Sequence, residues 1–313
     1  MNSFNIILAS PRGFCAGVER AIETVRQAIA DHGKPVYVLH EIVHNKHVLQ
    51  ELEKLGAIFV EELDEIPSGG ICIFSAHGVS VAVEQRASEL GLRTIDATCP
   101  LVGSVHHMVE RYYAEGYDVI IIGHHKHPEV EGTAGRVEGK VHVISTEEEA
   151  RQFEVENSTR VAFVTQTTLS KTDITGIKNI LRERFPLLRG PKSNICFATE
   201  NRQNAVKKLA TEADLIFVVG SKNSSNSNRL REVALKAGTE AYLIDDWTDI
   251  EPGWLTGVKS VGITAGASAP ERLVEGVINC LKQHGANEII TMEGLKENIH
   301  FKPAELQPYH KGV

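Results

Sequence analysis

The sequence predicts an α/β protein of three pseudo-symmetric α/β units with mostly parallel sheets around a central cavity. Three observations lead there. First, Cys15, Cys99 and Cys196 each close a short strand-like run and open a helix-like one. Second, each is followed by the same succession of apolar strand, polar loop, short strand, second buried strand and helix. Third, Cys15 lies 84 residues before Cys99, and Cys99 lies 97 before Cys196, each interval close to one small domain. Such a period is longer than that of open solenoids, so a closed three-unit assembly is expected. The units are 1–98 with the N-terminal strand, 99–195 and 196–293, followed by a tail, 294–313.

The elements run in the same order within each unit. The leading strands are NIILASPRGFC, RTIDATC and SNIC; the helices after them are AGVERAIETVRQAIADHG, PLVGSVHHMVERYYAEG and FATENRQNAVKKLATEA. Pro100 suits a first helical position, which makes Cys99 an N-cap. Next come PVYVLHE, DVIIIGH and DLIFVVGS, each running into a polar loop: Val43–Asn45, His125–Gly132 and Lys222–Asn228. Short strands AIFVEE, KVHVIS and EAYLID precede GICIFSAHGVS, RVAFVTQTTLS and SVGITAGASAP. The closing helices are VEQRASELG, ITGIKNILRERF and ERLVEGVINCLKQHG. Near-continuous apolar strands alternating with helices imply parallel sheets covered on both faces. Either Ile6–Leu8 or Glu288–Met292 closes the third unit, and the irregular, proline-spaced tail is expected to wrap over a surface.

The composition of the 313 residues is that of an ordinary globular protein, 42% hydrophobic and 24% charged. Lys and Arg number 33 against 41 Asp and Glu, a net charge of −8 that disfavours nucleic acid and anionic membranes as partners. Apolar runs such as Val119–Ile122 are far shorter than the ~20 residues of a membrane helix. The start, MNSFNIILASPRGFC, carries no basic export region, so the cytoplasm is the expected compartment. Five cysteines without a CxxC argue against a disulfide framework, zinc ribbons and thioredoxin-like chemistry. Cys72 in GICIFSA and Cys280 in LVEGVINCLKQHG read as core residues.

In parallel sheets ligands bind beyond the carboxyl ends of the strands. If the units face inward, three cysteines and the loop residues His44, His77, His127, Glu129, Thr167, Thr168, Ser224, Ser225, Asn226 and Ser268 line one cavity. A helix N-terminus favours both a thiolate and a bound anion. Three thiolates then suit one soft metal centre: zinc, copper(I) or an iron–sulfur cluster. A cubane held by three cysteines leaves one iron as a Lewis acid. Loops such as KNSSNSNR and AGASAP suit phosphate oxygens, whereas GxxxxGK[ST] and a strand-linked GxGxxG are both absent. Two other functions fit the same residues: a metal-dependent phosphoester hydrolase and a non-enzymatic iron–sulfur sensor or electron carrier.

The runs PRGFCAGVERAI, HEIVHN, FSAHGVS, DATCPLV, GHHKHPEVEGT, TQTTLS, NRQNAV, GSKNSSNSNRL and AGASAP together resemble the 4-hydroxy-3-methylbut-2-enyl diphosphate reductases, from about Asn5 to the tail. The resemblance implies three α/β domains around a 4Fe–4S cluster ligated by Cys15, Cys99 and Cys196. It implies a diphosphate held by His44, His77, His127, Ser224, Ser225, Asn226 and Ser268. Thr167 would contact the substrate hydroxyl, and Glu129 would be the proton source. The implied reaction is a two-electron reductive dehydroxylation to isopentenyl and dimethylallyl diphosphates, ending the methylerythritol phosphate pathway. The implied electron donor is a ferredoxin or flavodoxin.

Overall fold

Three runs, DVIII, VAFVT and LIFVV, are buried at every position, as strands covered on both faces must be. The computed structural model describes residues 3–139 and 141–307. Its strands are β1 (Phe4–Leu8), β2 (Val36–Leu39), β3 (Ala57–Val60), β4 (Ile71–Phe74), β5 (Arg93–Asp96), β6 (Asp118–Ile122), β7 (Val141–Ile144), β8 (Val161–Thr165), β9 (Leu215–Val219), β10 (Glu240–Ile244), β11 (Ser260–Ala265) and β12 (Ala286–Thr291). The helices are α1 (Ala16–His32), α2 (Lys46–Leu55), α3 (Val81–Glu89), α4 (Pro100–Ala114), α5 (Pro128–Ala134), α6 (Glu147–Gln152), α7 (Lys171–Arg184), α8 (Phe197–Leu209), α9 (Ser225–Lys236) and α10 (Glu271–Gln283). Among the described residues no helix is long and apolar enough to cross a membrane.

The strands form three sheets, ordered β10-β9-β11-β1-β12, β3-β2-β4-β5 and β7-β6-β8, and every ladder is parallel among the described residues. The repeat is visible in the order: β9, β2 and β6 each lie between the next two strands of their own repeat. The strand that leads into a cysteine then joins beside the last strand of the preceding repeat. Thus β5, ahead of Cys99, pairs with β4, and β1, ahead of Cys15, pairs with β11.

This cyclic rule moves two expectations. The N-terminal strand lies not with residues 36–96 but in the sheet of residues 215–291, between β11 and β12. Both candidates for closing the third unit are therefore present, side by side. SNIC is not a strand: Pro191 offers no N–H, and the run ahead of Cys196 meets β8 through Arg189, whose N–H donates to Val161 O at 3.0 Å. The Asn194 side chain takes over the ladder's role there, its Oδ1 accepting from Thr165 N at 2.8 Å.

The chain forms two compact units, one of residues 1–16, 44–48 and 196–299, the other of 17–43, 49–195 and 300–313. In the first, the pleat of β1 sends Ile6 and Leu8 to a core under α10 and Ile7 to a second core against α8 and α9. In the second, β6 divides likewise: Ile120 and Ile122 face α7, while Val119 and Ile121 face α4. The four-stranded sheet buries Leu39, Cys72 and Phe74 against Ala87 and Leu92. Part of the tail runs along β5, with Leu306 opposite Ile95 and Gln307 N donating to Thr94 O at 3.0 Å. Its last six residues, 308–313, lie outside the described residues.

Candidate active site

Polar loops at the carboxyl ends of the strands cap the helices after them, which fixes where their side chains stand. In the second unit, His127 is the N-cap of α5, its Nδ1 accepting from Glu129 N at 3.1 Å. Pro128 fills the first helical position, and Glu129 follows in the first turn. The Glu129 side chain is turned inward and is buried. Its carboxyl oxygens meet one residue at the end of β8: Thr167 N donates to Oε1 at 2.6 Å and Thr167 Oγ1 to Oε2 at 2.8 Å. Burial pushes the Glu129 carboxyl up from 4.5 to about 7, against the two Thr167 hydrogen bonds, which pull it down.

Two candidate site histidines of this unit stand together. The rings of His77 and His127 meet edge to face at 6.0 Å, and Ser75 Oγ lies 3.1 Å from His77 Nδ1. The His77 loop turns at Gly78, whose φ of +78° is a glycine conformation. A Cβ there would come within 2.5 Å of the buried His106 ring, and one on Gly132 of α5 within 2.7 Å of Gly78 O. Backbone therefore packs on backbone between the His77 loop and the helix of Glu129. Arg136 ties the same junction, donating to Val79 O, Glu84 and Glu110.

In the first unit, Ser224 caps α9, accepting from Ser227 N at 3.3 Å. Ser225 is the first residue of that helix, and Asn226, buried next to it, has both amide atoms without a hydrogen-bond partner among the described residues. Ser221 Oγ and Thr264 Oγ1, at the ends of β9 and β11, are buried in the same state. Ser268 Oγ donates to His44 O at 3.0 Å, joining the loop after β11 to the segment ahead of α2. Asn45 caps that helix through Oδ1, and its buried Nδ2 has no partner among the described residues. Gly220 and Gly266 have no room for a Cβ, because Ser227 Oγ stands against both. Buried, unsatisfied donors at a helix N-terminus form a site that an oxyanion completes.

Cys15, Cys99, Cys196 and Cys72 stand in the expected settings, whereas Cys280, expected in the core, is only half-buried on α10, where Val274, Val277 and Leu281 take the buried face. Cys15 directly precedes α1, while Cys99 and Cys196 are the N-caps of α4 and α8. The Cys196 side chain is held by Thr199, its Sγ accepting from Thr199 N at 3.3 Å and donating to Thr199 Oγ1 at 3.1 Å. All three are half-buried and none is in a disulfide. Cys72 is fully buried in β4, where burial pushes its thiol up to about 12. The Cys15 and Cys196 turns share one partner, the guanidinium of Arg202, whereas Cys99 belongs to the other unit. Among the described residues no three His, Cys, Asp or Glu side chains form a ready-made metal site. The donor set nevertheless fits a soft metal centre: half-buried sulfurs at helix starts, unlike the inert thiol of Cys72.

The first unit thus holds Cys15, His44, Cys196, Ser224, Ser225, Asn226 and Ser268, and the second holds His77, Cys99, His127, Glu129 and Thr167. Arg202, Arg20, Arg136 and His106 carry no role in the sequence reading. Arg202 leaves a trace there, since it interrupts the buried stripe Ala198, Thr199, Ala205, Val206, Leu209 of α8.

Comparison with known proteins covers nearly the whole chain. The LytB protein family matches residues 6–282. A 4-hydroxy-3-methylbut-2-enyl diphosphate reductase of Desulfotalea psychrophila is 66% identical over 301 residues, 96% of each chain. One of Pseudomonas aeruginosa is 53% identical over 308 residues, covering 96% of this chain and 98% of that one. Among solved structures, the E-1-hydroxy-2-methyl-but-2-enyl-4-diphosphate reductase of Plasmodium falciparum superposes with a TM-score of 0.91 at 38% identity, covering 95% of this chain and 94% of that one.

Proposed function

We propose a function from one premise: this chain belongs to the LytB protein family. It is an oxidoreductase that removes the hydroxyl of 4-hydroxy-3-methylbut-2-enyl diphosphate. Two electrons and two protons enter, water leaves, and isopentenyl or dimethylallyl diphosphate results, the last step of the methylerythritol phosphate route to isoprenoids. The observation that carries this reading is the Glu129 carboxyl, buried, bonded twice to Thr167 and raised to about 7.

An allylic hydroxide is a poor leaving group until it is protonated. Glu129 holds a proton on its carboxyl near neutral pH and delivers it to the departing oxygen, while Thr167 Oγ1 orients both that carboxyl and the substrate hydroxyl. Ser224, Ser225, Asn226 and Ser268 receive the diphosphate with His44, and the buried amide of Asn226 supplies an unpaired N–H donor for it. His77 and His127 bind its remaining oxygens; His127, whose Nδ1 accepts from Glu129 N, offers its Nε2–H to them. Cys15, Cys99 and Cys196, one from each of the repeats 1–98, 99–195 and 196–293, would hold a 4Fe–4S cluster. When bound, that cluster would supply electrons and Lewis-acid chemistry to the substrate hydroxyl. A cytoplasmic ferredoxin or flavodoxin delivers the electrons.

Anaerobic purification followed by iron and sulfide analysis, with substrate-dependent oxidation of a reduced low-potential dye, tests the reading. A brown protein with about four iron and four sulfide per chain is expected. Dye oxidation should begin on adding the allylic diphosphate. A colourless zinc protein would reject it in favour of a hydrolase, and dye oxidation indifferent to substrate in favour of an electron carrier.

A further inference from the structure

We infer that Arg202 and Arg20 are positioning residues that lock the turns carrying the cysteines, and that the C-terminal segment closes both locks. The inference rests on the cluster reading above. Arg202 is the largest fully buried side chain among the described residues, 1% exposed, on the second turn of the helix begun by Cys196. Every nitrogen of its guanidinium is engaged. Nε donates to Gly13 O and Nη2 to Phe14 O, each at 2.9 Å, in the turn that ends at Cys15. Nη1 donates to Ala198 O at 2.9 Å and to both oxygens of Glu297 at 3.1 Å. Asn201 Nδ2 holds the same carboxylate at 2.9 Å.

Arg20 repeats the pattern one cysteine along. It stands on the second turn of the helix that follows Cys15 and reaches the turn that ends at Cys99. Nη1 donates to Thr98 O at 2.8 Å and Nη2 to Asp96 O at 3.3 Å, while Nε donates to Lys302 O at 2.9 Å. Each helix begun by one cysteine therefore grips the carbonyls just ahead of the next. The third turn is held differently: Asn194, two residues before Cys196, pairs with Thr165 and sets Nδ2 3.8 Å from Met108 Sδ of α4.

The tail supplies the second half of each lock, Glu297 to Arg202 and the Lys302 carbonyl to Arg20. Ala304 N then anchors to Thr24 Oγ1 at 2.9 Å. A guanidinium suits this work because its N–H groups lie in one rigid plane and its charge is permanent. The main chain holds each cysteine through its own N–H, Cys15 N to Ala267 O at 3.2 Å and Cys99 N to Ala76 O at 3.0 Å. The arginine holds the carbonyls just ahead of it, so removing the arginine frees one side of the turn. Outer residues that orient metal ligands in this way control metal affinity.

The test uses the full chain, reconstituted anaerobically, as wild type and as Arg202→Met, Arg202→Lys, Arg20→Met, Glu297→Gln and Arg184→Met. Arg184 is the control, a guanidinium that holds Ala150 O on another helix. Circular dichroism of the metal-free proteins, iron released to a chelator, and the paramagnetic resonance spectrum of the reduced cluster are read. Arg202→Met and Arg20→Met should lose iron about 10- to 100-fold faster than wild type, with altered resonance lines. Arg202→Lys and Glu297→Gln should fall between, and they decide the matter where a methionine variant does not fold. Arg184→Met should match wild type. Equal release and identical spectra across the set, or an equal acceleration in Arg184→Met, overturn the inference while wild type still holds its cluster. A wild type that assembles no cluster overturns the underlying reading instead.

Discussion

At residue scale the proposed function turns on Glu129. Its raised pKa has a stability consequence with a definite sign. Between 4.5 and about 7 the folded protein keeps a proton that the unfolded chain has lost, so stability falls as pH rises through that window. Glu129→Gln is therefore expected to melt higher than wild type at alkaline pH, by a few kcal/mol at most. The same substitution should cut turnover by about a hundredfold or more. Wild-type turnover should decline as pH passes about 7, where the carboxyl gives up its proton. A variant that turned over normally would move proton delivery to another group. Among the cysteines, Ser at 15, 99 or 196 should abolish or damage the cluster in an iron assay, while Cys72→Ser and Cys280→Ser should keep it. Glu129 was legible as a loop acid in HPEVEG, but its burial and its pairing with Thr167 were not, because they join residues 38 apart in sequence.

The elements were legible wherever local physics decides them. Pro100 after Cys99 marked a helix start, and runs such as VIII marked doubly covered strands. SNIC was misread because its apparent equivalence to RTIDATC hid Pro191 and the side-chain pairing of Asn194 with Thr165. The contact between the His77 loop and α5 was invisible, since Gly132 acts only through the hydrogen that replaces a Cβ. Gly132→Ala should cost about 1–3 kcal/mol in a denaturant melt, because backbone at Gly78 cannot yield as a side chain would. It should also raise KM more than it lowers kcat, by shifting His77. His106 beneath that loop is held to about 4, chiefly by burial. It stays neutral in the folded protein as pH falls from 6.5 to about 4, so this junction weakens with acid over that range.

At the scale of the molecule the first strand matters most. β1 lies inside the five-stranded sheet, and its neighbour β12 is the last strand among the described residues. Deleting residues 1–9 would leave β12 without a partner and open the edge of β11. The expected result is loss of a cooperative melt by circular dichroism. A truncated chain that melted like wild type would show β1 to be dispensable. The repeat itself was readable because three cysteines stood in equivalent settings. Its cyclic pairing was not, since a linear reading groups each leading strand with the residues after it.

From its own pattern the chain settled the α/β class, the threefold repeat, the polar loops and the place of Cys15, Cys99 and Cys196 at helix starts. Those come from short-range rules: apolar periodicity, proline and cap chemistry, and repetition. Folding alone settled that β1 completes a distant sheet, that Thr167 holds Glu129, and that Arg202 and Arg20 reach back to cysteine turns. Each joins groups far apart along the chain, and such pairings are selected by burial and hydrogen-bond satisfaction, quantities that exist only once the backbone has closed on itself.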